Sequence, residues 1–223
     1  MNLLLSHGYF LQEDELEKKI MRPYPPLGLL YVSAYLEQQK IAHEVFDSTF
    51  SSEAAWFTYV LKKRPKVIAI YTNLMTKVKI LHLIKRVKAE PSLAETKILL
   101  GGPDLTYNWE NYLKHGADFL VIGEGEETML EFCKEHFANK NYETVTGLCY
   151  KNEQGQSIKN EARIKIKTVD EIPLPNRKKI DLSQYLETWK KHHGKSTLNI
   201  STQRGCPYTC LLYTSDAADE EDS

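Results

Sequence analysis

Five short apolar runs, each followed by a stretch of helical periodicity, recur along the first 140 residues, and this alternation restricts the fold more than any other feature. The runs are NLLLS (2–6), HEVFD (43–47), VIAIY (67–71), KILL (97–100) and DFLVI (118–122). The helical patterns fall at about 27–39, 53–63, 75–88, 109–115 and 126–139. Near-continuous apolar runs suit strands buried on both faces, and crossovers of this length join parallel strands. The expectation is an α/β domain: a doubly wound, parallel, five-stranded sheet with helices on both faces. Proline punctuation agrees. Pro25 and Pro26 precede the first helix, where a missing N–H costs nothing, and Pro91 stops the third.

After residue 139 two β-prone runs, TVTGLCYKN and QSIKNEARIKI, are joined across EQG, where Gly155 supplies a turn. This reads as a β-hairpin appendage. VDEIPLPNRKKIDLSQY then carries two closely spaced prolines, which disfavour helix and central strand and suit an extended linker. The expected division is 1–140 for the sheet domain, 141–168 for the hairpin, 169–195 for the linker, 196–209 for the first strand of a second domain (198–202), and 210–223 for a tail.

A net charge of -1 with interspersed signs offers no basic stripe for phosphates, so nucleic acid is excluded as a favoured partner. NLLL is too short for a signal-peptide apolar region or a spanning helix, which argues against a membrane and for the cytoplasm. Of the four cysteines, Cys133 and Cys149 lie in helix and strand patterns and read as buried small hydrophobes. Cys206 and Cys210 invite a chemical reading.

In open α/β sheets ligands bind beyond the carboxyl ends of the strands. The loop after the first strand is a long excursion, HGYFLQEDELEKKIMRPYPPLG, and those after strands three, four and five are TNLMT, GGPDLTYN and GEGEET. Gly101, Gly102, Gly123 and Gly125 either serve tight turns or let a large flat ligand approach the backbone. The G-x-G-x-x-G and Walker patterns are absent from the expected places. Glu124, Glu126 and Glu127 read as a carboxylate cluster or, better, as acids at a helix N-terminus. His7 and His43 beside strand ends read as polar residues rather than ligands. No catalytic residue is assigned.

PPLGLLYVSAYLEQQKIAHEVFD, GGPDLTYN, DFLVIGEGEET, the hairpin, DEIPLPNR and STQRGCPYTC stand in the order and spacing found in radical SAM proteins with a cobalamin-binding domain, which this chain resembles over residues 1 to about 209. The resemblance implies a Rossmann-like cobalamin domain followed by the first strand of a radical SAM barrel that is truncated within the CxxxCxxC motif. It also implies a four-iron four-sulfur cluster held by CxxxCxxC, with S-adenosylmethionine chelating the open iron and a small-molecule substrate in the full-length parent. On it Cys206 and Cys210 are the first two metal ligands; Tyr213 stands where the third cysteine belongs. CLLYTSDAADE (210–220) reads as the translation of a sequencing-library adaptor, so 210–223 is expected to be foreign and the fragment inactive by itself.

The parent would perform methyl transfer or cyclase-type radical chemistry. No D-x-H-x-x-G follows strand one, which leaves the lower face of cobalt unassigned. By the resemblance, the corrin lies over the strand ends near Tyr24, Pro26, Leu27 and Gly28, and the nucleotide tail descends along Thr72, Asn73, Leu74, Gly101, Gly102, Gly123 and Glu124. A leucine at Gly102 is then expected to block the tail without unfolding the domain. The alternative is a stand-alone α/β binding module for a nucleotide or sugar donor, with Cys206 incidental.

Overall fold

The computed structural model describes residues 1–164, 166, 168–202 and 204. In chain order the strands are β1 (Leu3–His7), β2 (Glu44–Phe46), β3 (Val67–Tyr71), β4 (Lys97–Gly101), β5 (Phe119–Val121), β6 (Leu148–Lys151) and β7 (Ser157–Lys159). The helices are α1 (Glu15–Ile20), α2 (Leu27–Gln38), α3 (Glu53–Lys63), α4 (Lys77–Ala89), α5 (Leu105–Lys114), α6 (Gly125–His136) and α7 (Leu182–His193). They build a sheet of order β2-β1-β3-β4-β5-β6-β7, whose first five strands run parallel.

Period-two alternation sends each strand's side chains into two different layers. Leu4, Ile68, Ile70, Ile98, Leu100 and Leu120 pack with Trp56 of α3, Ile80 and Leu83 of α4, and Tyr112 and Leu113 of α5. Leu3, Leu5, Val67, Ala69, Leu99, Phe119 and Val121 face the other way, against Leu29 and Leu36 of α2 and Met129 and Phe132 of α6. Helices α2 and α6 therefore share one face alone, and the space between their amino ends lies over the carboxyl ends of the central strands.

The expected hairpin is present, β7 pairing antiparallel with β6, and it extends the five-stranded sheet to seven strands, since β6 pairs antiparallel with β5. Its Leu148 and Tyr150 enter the same apolar layer as Phe119. The stretch 169–195 is not wholly extended, because α7 begins once the prolines are passed, with the Asp181 carboxylate accepting from the Gln184 N–H at its start and Gly194 left-handed at its end. Among the described residues, 198–202 form no strand; they have no ladder partner, and Asn199 instead accepts a bond from Arg177 and donates to the Pro25 carbonyl.

Helix α7 buries Trp189 against the long loop after β1 and Tyr185 against the segment after β2, where it meets Asp47, Thr49 and Phe50. The Trp189 indole N–H donates to the Pro23 carbonyl at 2.7 Å, and its ring packs on Tyr24 at 5.1 Å. Trp189→Phe keeps the ring contact and removes the donor, leaving a buried carbonyl unpaired. The expected loss is about 1 kcal/mol, read from urea unfolding midpoints, with faster amide exchange confined to α7 and residues 20–26.

Candidate functional site

The carboxyl ends of β1, β3, β4 and β5 open into a cavity of about 510 Å³ between α2 and α6. Its floor is apolar sheet surface, Leu5, Ala69, Leu99 and Val121, and its walls are Leu29 and Val32 of α2 and Met129 of α6. Ala69 is the one small side chain in VIAIY, and it leaves depth at the centre of the floor. The rim is backbone: Gly28, Gly101, Gly102, Gly123 and Gly125 all border the opening.

Two of these glycines illustrate different duties. A Cβ added at Gly101 would meet nothing within 4 Å, so a side chain there would project into the opening. Gly102 has φ +136°, and its Cβ would lie 1.9 Å from the Thr72 carbonyl oxygen. It is fixed by the close approach of the β3 and β4 ends, which the Thr72 N–H to Gly101 carbonyl bond of 2.7 Å draws together. The expectation that a leucine at Gly102 leaves the fold intact is therefore corrected: the backbone itself is in the way.

Of the residues expected at the site, Leu27, Gly28, Gly101, Gly102, Gly123 and Glu124 line the cavity. Pro26 stands one residue outside as the N-cap of α2. Tyr24 is turned away onto Trp189 and is 44% exposed. Thr72 faces the opposite layer beside the Tyr112 phenol, Asn73 accepts from the Thr76 N–H to close a turn, and Leu74 is 75% exposed. Cys206 and Cys210 lie outside the described residues.

The sequence reading missed the polar corner of the cavity. Glu126 is buried, 4% exposed, and its carboxylate accepts from the Arg204 guanidinium at 2.6 Å. The guanidinium carbon sits over the Tyr31 ring, 4.8 Å from its centre. The clue was available: an acid at a helix start, 78 residues before a lone arginine that precedes Gly-Cys.

Beside the cavity, His7 is buried with both ring nitrogens engaged. Nε2 lies 2.9 Å from the Asp47 carboxylate and Nδ1 3.0 Å from the Ser48 hydroxyl. The Tyr185 hydroxyl donates to the other Asp47 oxygen at 2.7 Å. Burial alone would raise the Asp47 carboxyl, but His7, Tyr185 and the Thr49 N–H outweigh it and hold the group below its ordinary value. His43 is likewise satisfied, by Ser33 at 2.7 Å and the Ile41 carbonyl at 2.9 Å, and its burial lowers its pKa. Cys133 and Cys149 are buried and burial pushes their thiols up to about 12 and about 11, so neither is a ready thiolate. Among the described residues no group of three or more His, Cys, Asp or Glu side chains is arranged to hold a metal ion, and no helix is long and apolar enough to cross a membrane.

Comparison with known proteins gives this cavity a context. The chain is 26% identical over 212 residues to the uncharacterized methyltransferase PH0819 of Pyrococcus horikoshii, covering 91% of this chain and 43% of the relative. It is 25% identical over 189 residues to the uncharacterized methyltransferase sll1242 of Synechocystis, covering 83% and 28%. The chain thus spans less than half the length of these relatives. Its fold matches the cobalamin-dependent S-adenosylmethionine radical enzyme OxsB with aqua-cobalamin bound, at a TM-score of 0.67 and 18% identity over 78% of this chain and 24% of that one. It also matches the radical S-adenosylmethionine methyltransferase TsrM from Kitasatospora setae with cobalamin and a [4Fe-4S] cluster bound, at 0.55 and 17% over 81% and 34%. The model of the B12 binding domain matches residues 18–132, more than half of the 223 residues, a span that runs from α1 into α6 and carries most of the residues lining the cavity. The chain belongs to the B12-binding domain family.

Proposed function

We propose that this chain is the cobalamin-binding part of a radical SAM enzyme, with the nucleotide tail of the cofactor in the cavity and the corrin over its glycine rim. The observation that carries the reading is the cradle itself: apolar floor and walls, and Gly28, Gly101 and Gly123 at the mouth, where an added Cβ meets nothing within 4 Å. Such a cradle fits a large flat ring that must lie close to backbone while a narrower apolar group enters below. Bound cobalamin would supply a methyl donor or a redox partner. The protein's part is to exclude water through Leu5, Ala69, Leu99 and Val121 and to fix the ring against the rim.

On this reading Cys206 and Cys210 take the first two positions of the cluster motif, and the full-length protein uses a four-iron four-sulfur cluster and S-adenosylmethionine on a small-molecule substrate, by methyl transfer or cyclase-type chemistry. The setting is the cytoplasm, with neither nucleic acid nor membrane as partner. Anaerobic reconstitution of the full-length protein should give cluster absorbance, a hydroxocobalamin spectral change on titration, and 5′-deoxyadenosine from S-adenosylmethionine. Cys206→Ala should abolish the cluster absorbance and the 5′-deoxyadenosine while leaving cobalamin uptake in place. A wild-type protein that takes up no cluster overturns the radical SAM reading, and one that leaves the cobalamin spectrum unchanged overturns the cobalamin reading.

A further inference from the structure

The acidic loop after β5 holds two distant parts of the chain. Glu124 accepts the Ile166 N–H at 2.7 Å, 42 residues away, and Glu126 accepts the Arg204 guanidinium at 2.6 Å, 78 residues away. The second contact is a built one. Glu126 is 4% exposed, so its carboxylate has little water to fall back on. Arg204 is planar, and it lies over Tyr31 while bonding Glu126, which fixes both its position and its tilt. Tyr31, Glu126 and Arg204 all line the cavity. Arg204 is two residues from Cys206.

We propose that Arg204 is a positioning residue, a latch that fastens the segment leading into Cys206 to the cavity wall, so that filling the cavity with cobalamin and placing that segment are coupled. This rests on the reading of the cavity as a cobalamin site. A ligand seated against Tyr31 and Arg204 removes water from around the ion pair and strengthens it, because the same charges attract more in a drier medium. Linkage makes the effect reciprocal: a closed latch favours the ligand to the same degree. The pair thus joins two cofactor positions that are separate in sequence.

Trypsin reads the latch directly. To be cut after Arg204, the side chain must leave Glu126 and enter the protease, so the cleavage rate tracks the open population. The chain would be digested with and without saturating hydroxocobalamin, with uptake followed by visible absorbance and each cut identified by mass spectrometry. Hydroxocobalamin should slow the cut after Arg204 by about tenfold, a usual size for coupling between sites. In Glu126→Gln with cobalamin bound, that cut should run about tenfold faster than in wild type and no longer respond to the ligand, while cuts at other lysines and arginines keep their wild-type rates. If Glu126→Gln does not fold by circular dichroism, Tyr31→Leu, which removes the platform, should give the same pattern. Cobalamin uptake with an unaltered cut after Arg204 in wild type overturns the latch alone. Acceleration of all cuts together in the variant also overturns it, since that marks general destabilisation. No uptake by wild type overturns the cobalamin reading and the coupled latch with it.

Discussion

Gly101→Leu should weaken hydroxocobalamin uptake by at least about tenfold while the domain stays folded, the cost of forcing extra methylene groups into a space shaped for another group being about 1–3 kcal/mol. Position 101 ends β4, its φ lies outside the left-handed region, and an added Cβ meets nothing within 4 Å. A leucine there starts from an unstrained backbone with open space at its Cβ and occupies the mouth of the cavity. Gly102→Leu makes the contrasting control. With φ +136° and the Thr72 carbonyl oxygen 1.9 Å from its Cβ, it should lose thermal stability first. Visible titration alongside circular dichroism separates the two, and a folded Gly101→Leu protein with wild-type affinity would refute the cavity as the tail site.

Asp47→Ala should destabilise the fold by about 3 kcal/mol, because it strips a buried histidine and a buried tyrosine of their shared acceptor. His7 reaches it from β1 and Tyr185 from α7, so the loss falls where α7 meets the sheet. The pH dependence has a definite sign. The Asp47 carboxyl is held below its ordinary value in the folded chain, so its contribution is complete above the unfolded pKa, about 3.9, and is lost as pH falls through the lower folded value. Wild type should therefore lose stability more steeply than Asp47→Ala as pH falls below about 4. Urea midpoints across that range check it, and equal acid slopes would mean that Asp47 is not the linked group.

The parallel sheet was legible because its central strands are near-continuous apolar runs, the pattern expected of strands buried on both faces. VIAIY matches β3 residue for residue. Glycine loops gave the rim for the same reason, since each lies directly after a strand. Side-chain direction was harder to read. Thr72 follows Tyr71 in the chain, yet one turns to the layer of Tyr112 and the other lines the cavity, a difference of one pleat that no loop motif announces. Helix α7 was hidden because two prolines dominate the start of its stretch, while its anchors, Tyr185 and Trp189, bond to residues more than 130 positions away. The Arg204 and Glu126 pair, 78 residues apart, is also brought together only by the fold.

The hairpin that continues the sheet also settles where the chain can be cut. Strand β5 is flanked by β4 on one side and by β6 on the other, through Phe119 opposite Tyr150 and Val121 opposite Leu148. The outermost strands are instead three-residue pieces, β2 with Glu44 paired to Lys63, and β7 with Lys159 exposed. Short, charged margins give a neighbouring molecule little to zip onto. A piece ending at residue 140 would uncover Phe-Leu-Val with a row of unpaired N–H and C=O groups, a template for self-association into insoluble strands. Any unit that keeps β5 paired therefore runs at least through residue 160, and that protection comes from a hairpin that contributes nothing to the cavity.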